Sequence, residues 1–174
     1  MHVRPETADD REAIRELLIA GYGTEEIADM IDQLRDDPGN LISLVAESDD
    51  DGKILGHVAF TPVMLDGHSE LGLTGLACTA VADSARGDGV GSELVHEGMV
   101  VSQHHGAAAV ITLGFPGYYA RFGFEPADRY GLVCEYETPR DKFLIRLLEP
   151  SELEGCTGTV RYPQAFTIHA AHGR

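Results

Sequence analysis

Val81-Ala-Asp-Ser-Ala-Arg-Gly-Asp-Gly-Val-Gly91 is the stretch around which the chain of 174 residues is organised. An apolar run from Leu76 to Val81 stops at polar Asp83-Ser84, and three glycines then alternate at 87, 89 and 91. An amphipathic run opens at Val90. The pattern reads strand, glycine-rich turn, helix. Glycine lets a backbone bend sharply and approach a ligand with no Cβ in the way. A turn that opens a helix leaves the first helical N–H groups without acceptors, with the positive end of the helix dipole behind them. That combination attracts anions, phosphate above all, and Arg86 adds a fixed positive charge at its edge.

Two phosphate loops do not fit. A P-loop requires Gly-Lys-Ser/Thr, which does not follow here. A dinucleotide fingerprint requires G-x-G-x-x-G and an acid ending the next strand. Here the spacing is G-x-G-x-G, and residues 107–113 hold no acid. A third pattern, Arg/Gln-x-x-Gly-x-Gly/Ala, is met by Arg86-Gly-Asp-Gly89-Val-Gly91. That segment resembles the coenzyme A pyrophosphate loop of the GNAT N-acetyltransferases.

Upstream, three strands lead into the loop, over 41–47, 54–65 and 71–81. The turns Asp49-Asp-Asp-Gly52 and Asp66-Gly67 join them as antiparallel hairpins, and Gly75 marks a bulge or a close backbone approach. Before them come an edge strand over 2–5 and two helices. Thr7 caps the first, which carries Ile14, Leu17, Leu18 and Gly21 on one face and breaks at Gly21 and Gly23. Thr24 caps the second, with Ile27, Met30, Ile31 and Leu34 on one face and Asp36-Asp37-Pro38-Gly39 as its end.

Downstream, a helix turns Val90, Leu94, Val95 and Val101 inward and ends near His104-His105-Gly106, whose histidines suit the negative helix end. Residues 107–113 read as a strand buried on both faces. Pro116-Gly117 opens a short helix over 118–122, closed by Gly123. Runs 132–137 and 143–148 form a final hairpin around Thr138-Pro-Arg-Asp141. A tail from Glu149 packs through Val160, Tyr162 and Phe166.

The element order β–α–α–β–β–β–(Gly loop)–α–β–α–β–β is that of the GNAT fold. Leu113-Gly-Phe-Pro-Gly-Tyr-Tyr-Ala-Arg-Phe-Gly-Phe124 and Gly158-Thr-Val-Arg-Tyr162…Ala165-Phe166 resemble segments of the YhbS-like subgroup of predicted acetyltransferases. The resemblance covers nearly the whole chain. It implies an α/β (α+β) GNAT acyl-CoA N-acyltransferase fold, with a mixed, mostly antiparallel central sheet flanked by helices. Residues 1–174 are then one domain, with a core of about 1–148 and a packed carboxy-terminal extension of about 149–174.

The resemblance implies an acetyl-CoA-dependent N-acetyltransferase acting by direct transfer in a ternary complex, without a metal. Cosubstrate contacts carry over to Thr79, Ala80 and Val81 on the strand, to Arg86, Gly87, Asp88, Gly89, Val90, Gly91 and Ser92 in the loop, and to Tyr119 and Phe122. Tyr119 takes the place of the family's general acid, and Tyr118 reads as packing. A tyrosine of pKa about 10 protonating a thiolate of pKa about 8.5 works uphill by roughly 2 kcal/mol, a gap that a dry site can close. For the base, Glu70 leads a set that includes His68, Glu47 and His57, with water as a further relay. Two positions depart from the family pattern: Asp88 stands where a basic residue is common, and Phe115 replaces an acid frequent in the subgroup. A non-catalytic acyl-CoA-binding or sensory module, and a phosphate-binding domain without acyl chemistry, are the alternatives.

Composition bounds the rest. Thirteen basic against 29 acidic residues give a net charge of −16, which disfavours nucleic acid and anionic membrane as partners and tilts the acceptor towards a cationic small-molecule or peptide amine. Cys78, Cys134 and Cys156 show no metal or disulfide spacing. No apolar run reaches membrane-spanning length and the amino terminus lacks a signal-peptide core, so the expected location is the cytoplasm. Exposed carboxy-terminal strands leave room for a homodimer.

Overall fold

Four strands of the amino-terminal half run as consecutive antiparallel neighbours: β1 (His2–Pro5), β2 (Ile42–Glu47), β3 (Ile54–Leu65) and β4 (His68–Val81). They belong to a computed structural model that describes residues 1–37 and 41–166. Pro38-Gly39, expected to end the second helix, lies outside those residues. Between β1 and β2 come α1 (Arg11–Tyr22) and α2 (Glu26–Asp36). After β4 follow α3 (Val90–His104), β5 (Ala109–Leu113), the single-turn α4 (Pro116–Tyr119) and the short β6 (Glu125–Pro126). β7 (Leu132–Cys134), β8 (Phe143–Leu147), α5 (Pro150–Leu153) and β9 (Gly158–Arg161) complete the described chain.

Among the described residues the strands form one mixed sheet in the order β1-β2-β3-β4-β5-β8-β6. Most pairs are antiparallel, while β4 with β5 and β7 with β9 run parallel. Helices cover both faces. On one, Ile14 and Leu18 of α1 and Ile27 and Ile31 of α2 are fully buried in a cluster that includes Val45, Ala59 and Ala80. On the other, Val90, Leu94 and Val95 of α3 share a cluster with Leu44, Val58 and Phe60. Each such side chain contributes about 1.5–3 kcal/mol by leaving water. No helix among the described residues is long and apolar enough to cross a membrane.

The parallel pair creates the site. β5 accompanies β4 only from Leu73↔Ala109 to Leu76↔Thr112, whereas β3 stays beside β4 up to Gly56↔Val81. Residues 77–81 therefore have no strand on the β5 side, and the two strands splay. The register of β3 against β4 slips between Ala59↔Cys78 and Phe60↔Leu76, a bulge that leaves Ala77 unopposed. The bulge falls two residues beyond Gly75. At Gly75 itself the close neighbour is a side chain and not a backbone, since a Cβ there would lie 2.9 Å from Val63 Cγ1.

Several local expectations are corrected. Runs 132–137 and 143–148 do not form a hairpin. β8 is nearly all apolar and pairs with the central β5, while β7 takes the tail strand β9 as a parallel partner, and β9 in turn pairs with β3. Gly21 does not break α1; it sits inside the helix, where a Cβ would lie 3.5 Å from that of Ala80, and the helix ends at Gly23 instead. Thr7 precedes a 3₁₀ turn over Ala8–Asp10 rather than α1 itself, and its amide donates to Asp10 at 2.7 Å. β4 starts three residues earlier than expected, and β5 starts at Ala109 because 107–108 still belong to the turn. The tail packs as expected: Val160 is fully buried, and Tyr162 stacks on Phe166 with centroids 4.4 Å apart.

Candidate active site

The loop builds an exposed turn whose amides could hold an anion. After a 3₁₀ turn over Asp83–Ala85, Gly89 takes a left-handed conformation, φ 84°, as the residue capping α3. Side chains rarely adopt that conformation, so glycine is what permits this entry into the helix. The first helical hydrogen bond from this end runs from Glu93 N–H to the Gly89 carbonyl at 3.0 Å. The N–H groups of Val90, Gly91 and Ser92 thus leave the helix end without helical acceptors. Arg86 lies beside them, exposed and paired with Asp83 at 2.9 Å, and Asp88 is also exposed.

From this cradle the splay continues inward as a cavity of about 370 Å³. Tyr22 and the 76–81 stretch of β4 form one wall, and Thr112 to Phe115 with Tyr118 and Tyr119 form the other; Arg86 stands at its rim. Thr79, Ala80, Val81, Arg86 and Tyr119 of the expected contacts therefore converge on it. Gly91 abuts it through Tyr118, whose hydroxyl would lie 3.0 Å from a Cβ at that position. Phe122 does not line the cavity; it backs Tyr118 with ring centroids 5.5 Å apart. Phe115 is 45% exposed, with Lys142 Nζ 4.9 Å from its ring centroid.

Tyr119 is held by its neighbours. A Cβ at Gly114 would fall 2.4 Å from Tyr119 Cε2, so only the bare backbone there admits the ring. Phe124 meets it edge-on, with centroids 5.5 Å apart. Burial pushes the Tyr119 phenol up to about 12, and the hydroxyls of Thr112 and Thr79, which face its oxygen, act in the opposite direction. Both threonine oxygens are buried, and among the described residues neither reaches a partner, Tyr119 included, at full hydrogen-bond distance and angle. An orphaned buried hydroxyl costs about 1–3 kcal/mol.

Sequence reasoning missed Tyr22. Its hydroxyl donates to the Thr79 carbonyl at 3.1 Å and accepts from the Thr79 amide at 3.2 Å, which caps β4 where β5 has left it. Burial raises its phenol strongly. The signal available in the chain was slight: a tyrosine ending α1 just before Gly23. Thr112 was missed too, though it is the one polar residue in 107–113.

The candidate bases lie apart from the cavity. Glu70 and His68 stand at the opposite end of β4, 3.8 Å from each other, with the Glu70 side chain 76% exposed. Glu47 accepts from Arg4 Nε at 2.6 Å, which in turn forks onto Asp10 at 2.7 and 2.9 Å. His57 is fully buried behind Cys78, with its Nδ1 4.0 Å from the sulfur. Its Nε2 lies 2.8 Å from Ser43 Oγ, and because that hydroxyl donates to Glu6, Nε2 carries the proton. Desolvation pushes His57 down to about 4, so it is neutral. Among the described residues no group of three or more His, Cys, Asp or Glu side chains gathers as a metal site.

Comparison with known proteins bears on this geometry. Residues 2–127 match the family model of the acetyltransferase (GNAT) domain. The uncharacterized N-acetyltransferase YhbS of Escherichia coli strain K12 is 37% identical over 166 residues, which cover 95% of this chain and 98% of the relative. The crystal structure of E. coli YhbS in complex with CoA superposes with a TM-score of 0.91 at 36% identity, covering 99% of this chain and 95% of that one. A GNAT family acetyltransferase from Brucella melitensis in complex with acetyl-CoA gives a TM-score of 0.78 at 32% identity, over 95% and 97% of the two chains.

Proposed function

The chain belongs to the GNAT acetyltransferase family, and from that premise we propose that it transfers the acetyl group of acetyl-CoA to an amine in a ternary complex. One observation carries the reading: a helix end with free amides stands beside a hydroxyl-lined cleft at Tyr119, with Arg86 at the cleft's rim and Gly91 against Tyr118. The CoA and acetyl-CoA complexes of relatives support the same cosubstrate here. The residues fit it. The amides of Val90, Gly91 and Ser92 suit a pyrophosphate, Arg86 adds charge at the rim, and β4 offers an edge without a strand partner at 79–81 to an extended chain carrying amides. At Thr79 such a chain meets competition, because Tyr22 already engages both backbone groups.

Bound acetyl-CoA supplies an activated thioester whose cleavage leaves a thiolate. Tyr119 Oη is the group in the cleft suited to protonate that sulfur. Cys78 gauges what the cleft does to a thiol, since burial pushes its sulfhydryl up to about 12. A second thiol held equally dry is made more basic in the same direction, which narrows the roughly 2 kcal/mol gap of solution values. Efficient proton transfer favours a narrow gap. Among the described residues no carboxylate or imidazole lines the cavity. The ammonium proton of the acceptor therefore passes to solvent at the mouth, and Glu70, at the far end of β4, takes no direct part.

That missing base also favours a second reading, an acyl-CoA-binding module without turnover. The test is calorimetric titration with coenzyme A together with thiol release from acetyl-CoA over a panel of small amines and peptides. Binding with turnover supports the transferase. Binding without turnover on any amine favours the module, and absence of binding overturns both.

A further inference from the structure

Resting on the acid role given to Tyr119, we propose that Thr112 and Thr79 are positioning residues whose hydroxyls donate hydrogen bonds to the Tyr119 oxygen as it gives up its proton. Thr112 is 1% exposed and stands at the last residue of β5 paired with β4. Thr79 stands across the splay on β4, its backbone fixed by Tyr22 on both its amide and its carbonyl. The two strands thus aim one hydroxyl each at the same phenol, from opposite walls of one cavity.

Both oxygens are buried and neither has a hydrogen-bond partner among the described residues, a condition shared only with Tyr162 Oη, which lies in the tail cluster away from the cavity. By contrast, Ser102 donates to the Gly98 carbonyl at 2.8 Å, and Ser43 bridges His57 and Glu6. Buried polar atoms left unpaired call for an explanation, and a role in the reaction supplies one. A neutral phenol is a modest acceptor, whereas an oxygen losing its proton becomes an anion that draws short, strong hydrogen bonds. Donors that engage only then favour the transition state over the ground state, which is what raises kcat. The proton moves from Tyr119 Oη to the departing sulfur, the threonine O–H bonds stay intact, and solvent later returns a proton to the phenol oxygen.

Thr112→Val keeps the shape and removes the donor, while Thr112→Ser keeps the donor. We expect Thr112→Val to lower kcat by about 10–100-fold with KM for acetyl-CoA within about 2-fold, and Thr112→Ser to recover most of the loss. Thr112→Val should match or exceed the parent protein in thermal stability, because it deletes an orphaned hydroxyl; a purely structural role would lower it. In a Tyr119→Phe background the same change should have no further effect on kcat. If Thr112→Val turns over normally while Tyr119→Phe is slow, or if its loss persists in the Tyr119→Phe background, this inference fails and the acid role stands. If Tyr119→Phe itself turns over normally, the acid role fails and takes this inference with it.

Discussion

The two ends of the candidate site are built on opposite principles. The cradle at 86–92 is exposed, contiguous in sequence and made of backbone amides and loose charges. The inner end is buried and assembled from Tyr22, Thr79, Thr112 and Tyr119, which lie on four different elements. In water an exposed charge acts weakly and is screened by salt, whereas a buried group acts through a low dielectric and is costly to leave unpaired. Substitutions of comparable chemistry should therefore weigh far more at the inner end than at the outer one.

Tyr119→Phe should show the largest effect. Turnover should fall about 10²–10⁴-fold, the range for losing a positioned general acid, with coenzyme A affinity nearly unchanged. Steady-state thiol release and calorimetry on the same preparation check both halves. Normal turnover would reduce the inner end to packing.

Burial also governs stability against acid outside the cleft, at His57 behind Cys78. Free histidine titrates near 6.5, and burial holds His57 down at about 4. As pH falls, the unfolded chain takes up this proton first. The contribution is therefore fully present above about 6.5 and lost as pH falls towards 4, by about 3 kcal/mol in all. Urea unfolding at several pH values should show that slope, and His57→Gln should flatten it across the same window. An unchanged slope would mean that other groups carry the acid sensitivity.

At the cradle, Gly89→Val forces a β-branched side chain into φ 84°, a strain of roughly 1–3 kcal/mol that the exposed loop relieves by rearranging. Coenzyme A affinity should drop by about 10–100-fold while the protein remains folded by circular dichroism. Affinity within error of the parent would place the cradle elsewhere. No atom lies within 4 Å of the Cβ position at Gly89, so the expected loss comes from backbone conformation and not from crowding.

The same contrast explains what could be read in the chain. The cradle was legible because its chemistry is local: Arg86, three glycines and a helix start are adjacent letters. Tyr119 was legible only through the segment around it. Tyr22 and Thr112 were hidden, since their meaning depends on where β5 leaves β4, and no periodicity encodes that divergence. The sheet failed to follow the sequence at β7 and β8 for a related reason. A strand of three residues carries too little alternation to fix its partner, and the tail strand β9 claimed it.

Asp88→Lys should give the smallest effect. The position is exposed, so replacing repulsion by attraction should tighten coenzyme A only a few-fold at low ionic strength, and less as salt is added. A salt-independent change, or none at low salt, would mean that Asp88 points away from the anion.

The most direct test of the whole account is a crystal structure of the protein with acetyl-CoA. The account predicts the pyrophosphate on the amides of Val90, Gly91 and Ser92 and the sulfur within about 3.5 Å of Tyr119 Oη, a reach suited to proton transfer. A sulfur out of reach of Tyr119, or a pyrophosphate bound away from the loop, would contradict it.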